Sequence, residues 1–512
     1  MAVTACTPTI DRVAARRHAP IGLAVLLGAL ACALSAAGSW IPSLWADEIT
    51  SMMSARRSLP SLLAMLGNLD AVHGTYYAGL HVWGWMFGLS PFAVRFPSAV
   101  AVGLATAAVV LLADRLRSPR VGLIAGLACA VVPRLTYMGE EARAFALSAA
   151  IVAWLTLILV MAIDRAKPRP GLWIAYGMLL AAGIYVFMYV ILFVAVHAAI
   201  VVAYRSGRRN VQAWGVASAA GILVAAPVLL FAFLQHGQIA YLAATNQVSP
   251  SALLGELWFG GAFFATIAWA LIVVATVFAA RRRWLRTPVP GERIAPGLVS
   301  IALLWLLVPP LVLLAMHAVV PDFAARYLTF CAPAAAILIA CGVDDLLRVR
   351  RAAGIVAGAL VILLALPIYL SQRTPYAKNH SDLAEIAAVV RADARPGDAV
   401  VFDEGTRLSH RPRLAMHGYP AAFDGLRDVT LQVPYQRNLL WHDEAYTVQD
   451  AAILGRFTGI DRVWLIEYAG APGRADSYGV RELEEIGYRP TGTRIPTYRG
   501  LVTLYAMRES AG

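Results

Sequence analysis

Eleven apolar stretches, at about 20–40, 93–113, 121–138, 144–163, 171–187, 188–204, 213–234, 260–280, 297–319, 327–345 and 353–371, constrain this chain more than any other feature. Each approaches the roughly 20 apolar residues that cross a bilayer. The pair 171–187 and 188–204 is the least well separated. The first run is too long for the apolar region of a signal peptide, and it continues into Trp-Ile rather than a small-residue cleavage site. Charge is correspondingly sparse: 14% of the 512 residues, against about 25% in soluble proteins. The sequence therefore predicts a polytopic α-helical membrane protein.

The basic residues orient it. With the N terminus in the cytoplasm, the inner segments hold 20 Lys and Arg residues, clustered at 12–17, 115–120, 165–169, 205–209, 281–293 and 348–351. The outer segments of the same region hold six: Arg56, Arg57, Arg95, Arg134, Arg143 and Arg326. That asymmetry follows the positive-inside rule. The net charge of +12 is thus a topology signal, and no Lys/Arg tract interleaved with aromatics points to nucleic acid. An odd number of spans in the plasma (inner) membrane puts residues 373–512 outside the cytoplasm. This tail has 17 basic and 18 acidic residues, and helical stretches such as "SDLAEIAAVVRADA" and "VQDAAILGRF" alternate with "AVVFDE", "RVWLIEY" and "LVTLYAM". It reads as a soluble α/β domain, giving a division into 1–372 and 373–512. The five cysteines form no CxxC pair and no disulfide framework.

Carboxylates beside hydrocarbon are costly and mark sites more often than not. Of the 13 acids before residue 373, those at Asp11, Asp114, Asp164, Glu292, Asp344 and Asp345 accompany inner basic clusters and read as ordinary interfacial charges. Seven face outward: Asp47, Glu48, Asp70, Glu140, Glu141, Glu256 and Asp322. Two adjacent pairs, Asp47–Glu48 and Glu140–Glu141, lie at the outer ends of spans. The competing reading of Asp47 is a helix N-cap. Between spans one and two, "ITSMMSARRSLPSLLAML" and "TYYAGLHVWGWMFG" are too short for spans and too apolar for free loops, so they read as helices on the outer membrane surface.

The order "WADE", "DAVHGTYYAGLHVWGWMFG", "RFPSA", "EARAFAL" and "FAARYLTFCAP" resembles the GT-C glycosyltransferases over roughly residues 20–370. Within them it is similar to protein O-mannosyltransferases, aminoarabinose transferases and actinobacterial mannosyltransferase-like membrane proteins. The resemblance implies transfer of a sugar from a polyprenyl-phosphate carrier to an envelope lipid, glycan or protein on the outer face, with mannose favoured and arabinose the competitor. It also implies Asp47 as catalytic base with Glu48 beside it, and Glu141, with Glu140, as the acid of the second outer loop. The family's His-Pro element falls on His73, where Gly74 replaces the proline.

The residue types suit that chemistry independently. A carboxylate can take the proton of an acceptor hydroxyl, and arginine offers two donors to a phosphate. Arg326, helped by Tyr327, is the candidate phosphate ligand, with pairing to Asp322 as its structural alternative. Asp70, His73, Tyr76, Glu140 and Arg143 complete the candidate substrate-binding set, although Tyr76, Tyr77, His81, Trp83 and Trp85 also suit an interfacial aromatic belt. His197 and His317 read as span residues. Asp47, His73 and Glu141 are ligand types suited to a divalent metal, but no ligand-spacing motif demands one. The rival function is a transporter or flippase of a lipid-linked saccharide; acids gathered at one face, rather than at the midplane, argue against it.

Overall fold

The computed structural model describes residues 21–163, 169–238, 248–285, 296–318, 323–470 and 478–508. All eleven apolar segments are helical. They form α1 (Ile21–Ala36), α5 (Pro91–Leu116), α6 (Pro119–Val131) with α7 (Pro133–Gly139), and α8 (Phe145–Ile163). Then come α9 (Pro170–Val186), α10 (Leu192–Ala203), α11 (Arg208–Val224) with α12 (Ala226–Leu234), α13 (Ala262–Trp284), α14 (Leu298–His317), α15 (Ala332–Val349) and α16 (Arg351–Gln372). Among the described residues, six helices are long and apolar enough to cross a membrane, or eight when the bent pairs α6–α7 and α11–α12 each count as one span; α1, α9 and the segment ending in α10 are shorter. Between α1 and α5 the chain forms α2 (Ala46–Arg56), α3 (Leu59–Asn68) and α4 (Gly74–Phe87), and α2 is buried along nearly its whole length rather than lying on a surface.

Small residues let the helices approach closely, as lipid-embedded packing requires. A Cβ on Gly28 would stand 2.8 Å from the Gly103 carbonyl, and one on Gly103 2.7 Å from that of Gly28. The C-terminal end of α1 then lies beside the start of α5, where Arg95 reaches the Ser39 carbonyl. The 59° bend between α6 and α7 falls at Pro133, which lacks an amide proton and holds Val132 in extended backbone. The bend turns Glu140 and Glu141 towards the loop that follows α1.

At the opposite end of α5, Asp344 and Asp345 of α15 are buried, not ordinary interfacial charges as their sequence context suggests. Arg117, Arg120 and Arg348 pair with Asp344 at 3.1, 2.8 and 2.8 Å, and Arg282 pairs with Asp345 at 2.6 Å, with Arg117 reaching Asp345 as well. Burying two carboxylates is tolerable here because each is held by more than one guanidinium.

The C-terminal part contains α17 (Leu383–Asp393) and strands β1 (Ala399–Phe402), β2 (Arg427–Asp428), β3 (Leu431–Val433), β4 (Glu444–Ala445), β5 (Arg462–Tyr468), β6 (Tyr488–Pro496) and β7 (Gly500–Met507). The main sheet runs β2–β1–β5–β7–β6, with β1 parallel to β2 and β5, and β7 antiparallel to β5 and β6. β1 is buried along its whole length, as expected of a strand with both faces covered. The helix expected over "VQDAAILGRF" is only Val448–Ile453, and Gly455 with φ 71° turns the chain just beyond it. The hydrophobic core does not break at residue 373: Leu383, Ile386, Phe402 and Trp464 pack in one cluster with Leu44, Ile49 and Met52. The C-terminal part seats on the same end of the bundle as the two acid pairs. The Leu44 amide donates to the Tyr419 hydroxyl at 2.8 Å, Ser381 donates to the Leu44 carbonyl at 2.7 Å, and Arg57 donates to the Asn438 carbonyl at 2.9 Å.

Candidate active site

Trp45 holds extended backbone at the N-cap of α2, so Asp47 and Glu48 occupy its first turn, where the helix dipole favours negative charge. Asp47 is therefore not the capping residue. Neighbours on a helix point about 100° apart, and the two carboxylates accordingly have different surroundings. Glu48 points inward and is fully buried. Arg95 Nε and Nη2 donate to its two oxygens at 2.7 and 2.6 Å, and the Ala142 amide adds a third bond at 2.9 Å. Burial alone would raise the Glu48 carboxyl, but the Arg95 charge and hydrogen bonds, Lys378 and the Ala142 amide outweigh it and hold the pKa below the ordinary value. A carboxylate so occupied does not serve as a base. The catalytic part that the motif implies for Glu48 is replaced here by a positioning one.

The "RFPSA" motif explains itself in the same contacts. Arg95 Nη1 also donates to the Ser39 and Pro42 carbonyls at 2.6 and 2.8 Å, and Ser98 donates to the Glu141 carbonyl at 2.6 Å. One turn of α5 thus ties the loop after α1, the start of α2 and the acid loop after α7.

That acid loop again separates its two carboxylates. Glu140 is buried against two cations, Arg373 and Lys378, each at 3.4 Å. Glu141 is nearly enclosed, and its carboxylate has no hydrogen-bond or ion-pair partner among the described residues. Burial raises its pKa above the ordinary carboxylate value, and neighbouring Glu48 and Asp47 add to the rise while Lys378 and Arg143 oppose it. Arg143 is buried between the two loops, with Nη1 donating to Ser51 Oγ at 3.3 Å and Nη2 lying 3.1 Å from His73 Nε2. A guanidinium only donates, so His73 Nε2 accepts and the imidazole is neutral. Burial first, then the charges of Arg143 and Arg326, hold the His73 pKa well below its ordinary value.

Asp70 precedes His73 in left-handed backbone, φ 59°, a conformation Asp tolerates better than most residues. Its carboxylate accepts from the Tyr77 hydroxyl at 3.2 Å, and burial raises its pKa. The Tyr76 hydroxyl is buried without a hydrogen-bond partner among the described residues. Trp83 donates to the Ala93 carbonyl and His81 contacts the Ala55 carbonyl, so these two anchor α4 rather than reach the acids. His197 lies within the bundle between Tyr176 and Thr156.

Asp47 remains partly exposed, and its Oδ2 accepts from Arg326 Nη1 at 3.0 Å. Arg326 lies 5.8 Å from the Tyr327 ring centroid, and Tyr327 stacks on Tyr189 at 4.9 Å and 21°. The alternative partner Asp322 lies outside the described residues. The candidate base and the candidate phosphate ligand, 279 positions apart, are therefore in contact. Of the three candidate metal ligands, Asp47 Oδ2 faces Arg326 and His73 Nε2 faces Arg143, and among the described residues no three His, Cys, Asp or Glu side chains converge.

Sequence reasoning missed Lys378, Arg373, Ser51 and Tyr189. One signal was available for Lys378: it is one of only two lysines in a chain whose other cations are arginine.

Residues 83–231 match the sequence profile of the dolichyl-phosphate-mannose-protein mannosyltransferase family. No curated protein sequence matches the chain significantly. Among solved structures, the fold is similar to apo ArnT from Cupriavidus metallidurans (TM-score 0.58, 12% identity, covering 94% of this chain and 98% of that one). It is similar also to the same protein bound to undecaprenyl phosphate (0.56, 12%, 95% and 98%). A third is the archaeal oligosaccharyltransferase AglB from Archaeoglobus fulgidus, in complex with an inhibitory peptide and a dolichol-phosphate (0.53, 10%, 87% and 69%).

Proposed function

We propose that this chain, whose fold is similar to those of ArnT and AglB and whose residues 83–231 match the mannosyltransferase profile, is a GT-C glycosyltransferase that moves a sugar from a polyprenyl-phosphate carrier to a hydroxyl of an envelope lipid, glycan or protein. The observation that carries this reading is the Asp47–Arg326 contact. An acid poised to take a proton and a cation suited to a phosphate stand side by side, partly exposed, at the outer end of an integral membrane protein. The lipid phosphates bound by the similar structures support the donor class. The family profile favours mannose over arabinose.

In this mechanism the donor phosphate draws the Arg326 guanidinium away from Asp47. The freed carboxylate accepts the proton of the acceptor hydroxyl as its oxygen bonds to the anomeric carbon. The bond from that carbon to the phosphate oxygen breaks, and the polyprenyl phosphate leaves with its added negative charge held by Arg326. Arg143, held by the Asp47 carbonyl and by His73 Nε2, keeps one positive charge beside Asp47, and Glu48 with Arg95 sets where α2 begins. We place the protein in the plasma (inner) membrane, with the N terminus cytoplasmic and residues 373–512 outside.

Purified protein in lipid nanodiscs, given radiolabelled polyprenyl-phosphate mannose or arabinose and extracted envelope acceptors, tests the reading. Asp47→Asn should lose about 10²–10⁴-fold in turnover while eluting and melting as the wild type does. Undiminished turnover in that variant would exclude Asp47 as base. Turnover from a nucleotide sugar with no lipid carrier would overturn the donor class.

A further inference from the structure

A cleft of about 440 Å³ opens on the outer face, between the end of α2, the turn that joins α4 to α5, and α17. One wall is Leu89, Ser90 and Pro91, where a surface helix hands over to a membrane span, so the cleft lies at headgroup depth. The flanking residues Phe87 and Phe92 are exposed, as is Trp85. The cleft exists because α17 presents only small side chains to it: Ala384, Ala387 and Ala388 share one helical face. Arg391 lies one turn further along that same face, and Arg56 closes the cleft from α2.

The lining contains two arginines and no carboxylate. Neither arginine forms an ion pair among the described residues, although Arg56 is largely withdrawn from water and donates to the His417 carbonyl. Arg95 and Arg57, by contrast, have both terminal nitrogens engaged, Arg95 by Glu48 and the Ser39, Pro42 and Ser43 carbonyls, and Arg57 by Ser61 Oγ and the Asn438 and Leu440 carbonyls. Two cations that face one cleft whose lining holds no carboxylate create a positive field that an anion would neutralise. The N-terminal end of α5, with its positive dipole, points the same way.

We propose that this cleft binds the phosphodiester headgroup of an anionic membrane lipid. The phosphate sits between Arg56 and Arg391, the glycerol lies over the alanine floor, and the acyl chains descend past Phe87 and Phe92 into the bilayer. A neutral glycan would leave both guanidinium groups unpaired, and a soluble anion would leave the apolar wall uncovered. Arg56 stands nine residues along α2 from Asp47, about 13 Å, so this lipid is distinct from the donor carrier. It would tie α17, and with it the C-terminal domain, to the membrane surface.

The test is native mass spectrometry of the full chain released from nanodiscs that contain equal phosphatidylcholine and phosphatidylglycerol. One phosphatidylglycerol should remain bound. Retention should fall about tenfold for each charged hydrogen-bond donor removed, in Arg391→Gln and further in the Arg56→Gln/Arg391→Gln pair. It should fall also in Ala388→Phe, which fills the floor and keeps both charges. Arg391 is exposed, so its variant keeps the fold, and gel filtration checks this for the others. Equal retention of the two lipids, or retention unchanged in Arg391→Gln and Ala388→Phe, overturns the proposal. So does displacement of the lipid by millimolar inorganic phosphate, which would identify a site for the free ion. Because the readout is lipid retention, it stands or falls independently of the transferase reading.

Discussion

Lys378→Met should uncouple the C-terminal domain from the acid loop. Lys378 is completely buried, with Nζ 3.4 Å from Glu140 Oε1, 3.1 Å from the Tyr137 carbonyl and 3.4 Å from the centre of the Tyr137 ring. Removing one partner of a buried pair costs about 3–5 kcal/mol, because the other charge is left uncompensated. Two features favour the lower end of that range. Arg373 still faces Glu140 at 3.4 Å, and burial already raises the Glu140 pKa, so this carboxyl can take up a proton instead of remaining charged. The expected loss is about 3 kcal/mol. At about 2 °C per kcal/mol for a chain larger than most single domains, the melting temperature in detergent should fall by about 6 °C. Adding Glu140→Gln to Lys378→Met removes the stranded charge and should restore most of the stability. A Lys378→Met protein that melts with the wild type, or a double variant no more stable than the single one, would refute the argument.

Glu48→Gln should destabilise more than Asp47→Asn, because it breaks a fully buried bidentate pair worth about 3–5 kcal/mol on removal of one partner; thermal melts of the two variants decide the order. Arg326→Lys should cut turnover by at least about tenfold and raise the donor KM, since a point charge cannot reproduce a bidentate fork; equal kinetics would remove Arg326 from the phosphate site. His73 has a folded pKa depressed below its unfolded value. The unfolded chain therefore takes up a proton, as pH falls through about 6.5, that the folded chain refuses, so stability is lost on the acid side at up to about 1.4 kcal/mol per pH unit. His73→Gln keeps an acceptor for Arg143 and should flatten that slope, which melting curves between pH 7 and pH 5 will report.

Hydropathy located every helical segment of the membrane part because the bilayer imposes one requirement, local in sequence: a continuous apolar run whose backbone bonds are satisfied within the helix. The cost of carboxylates near hydrocarbon likewise made Asp47, Glu48, Glu140 and Glu141 visible in the sequence itself. What each of these acids does was not legible, because adjacent residues on a helix or turn differ in direction and their partners are remote. Only the packing of α5 against α2 brings Arg95 to Glu48, 47 positions away, and leaves Asp47 to Arg326. The C-terminal domain shows the same limit. Its alternating pattern predicted helices and strands, whereas the insertion of Lys378 and Arg373 beside Glu140 depends on where that domain docks. The sequence by itself determined which segments leave water and which charges had to find a partner. The tertiary structure decided the partners, because pairing free energy depends on distance and burial that only the assembled helices create.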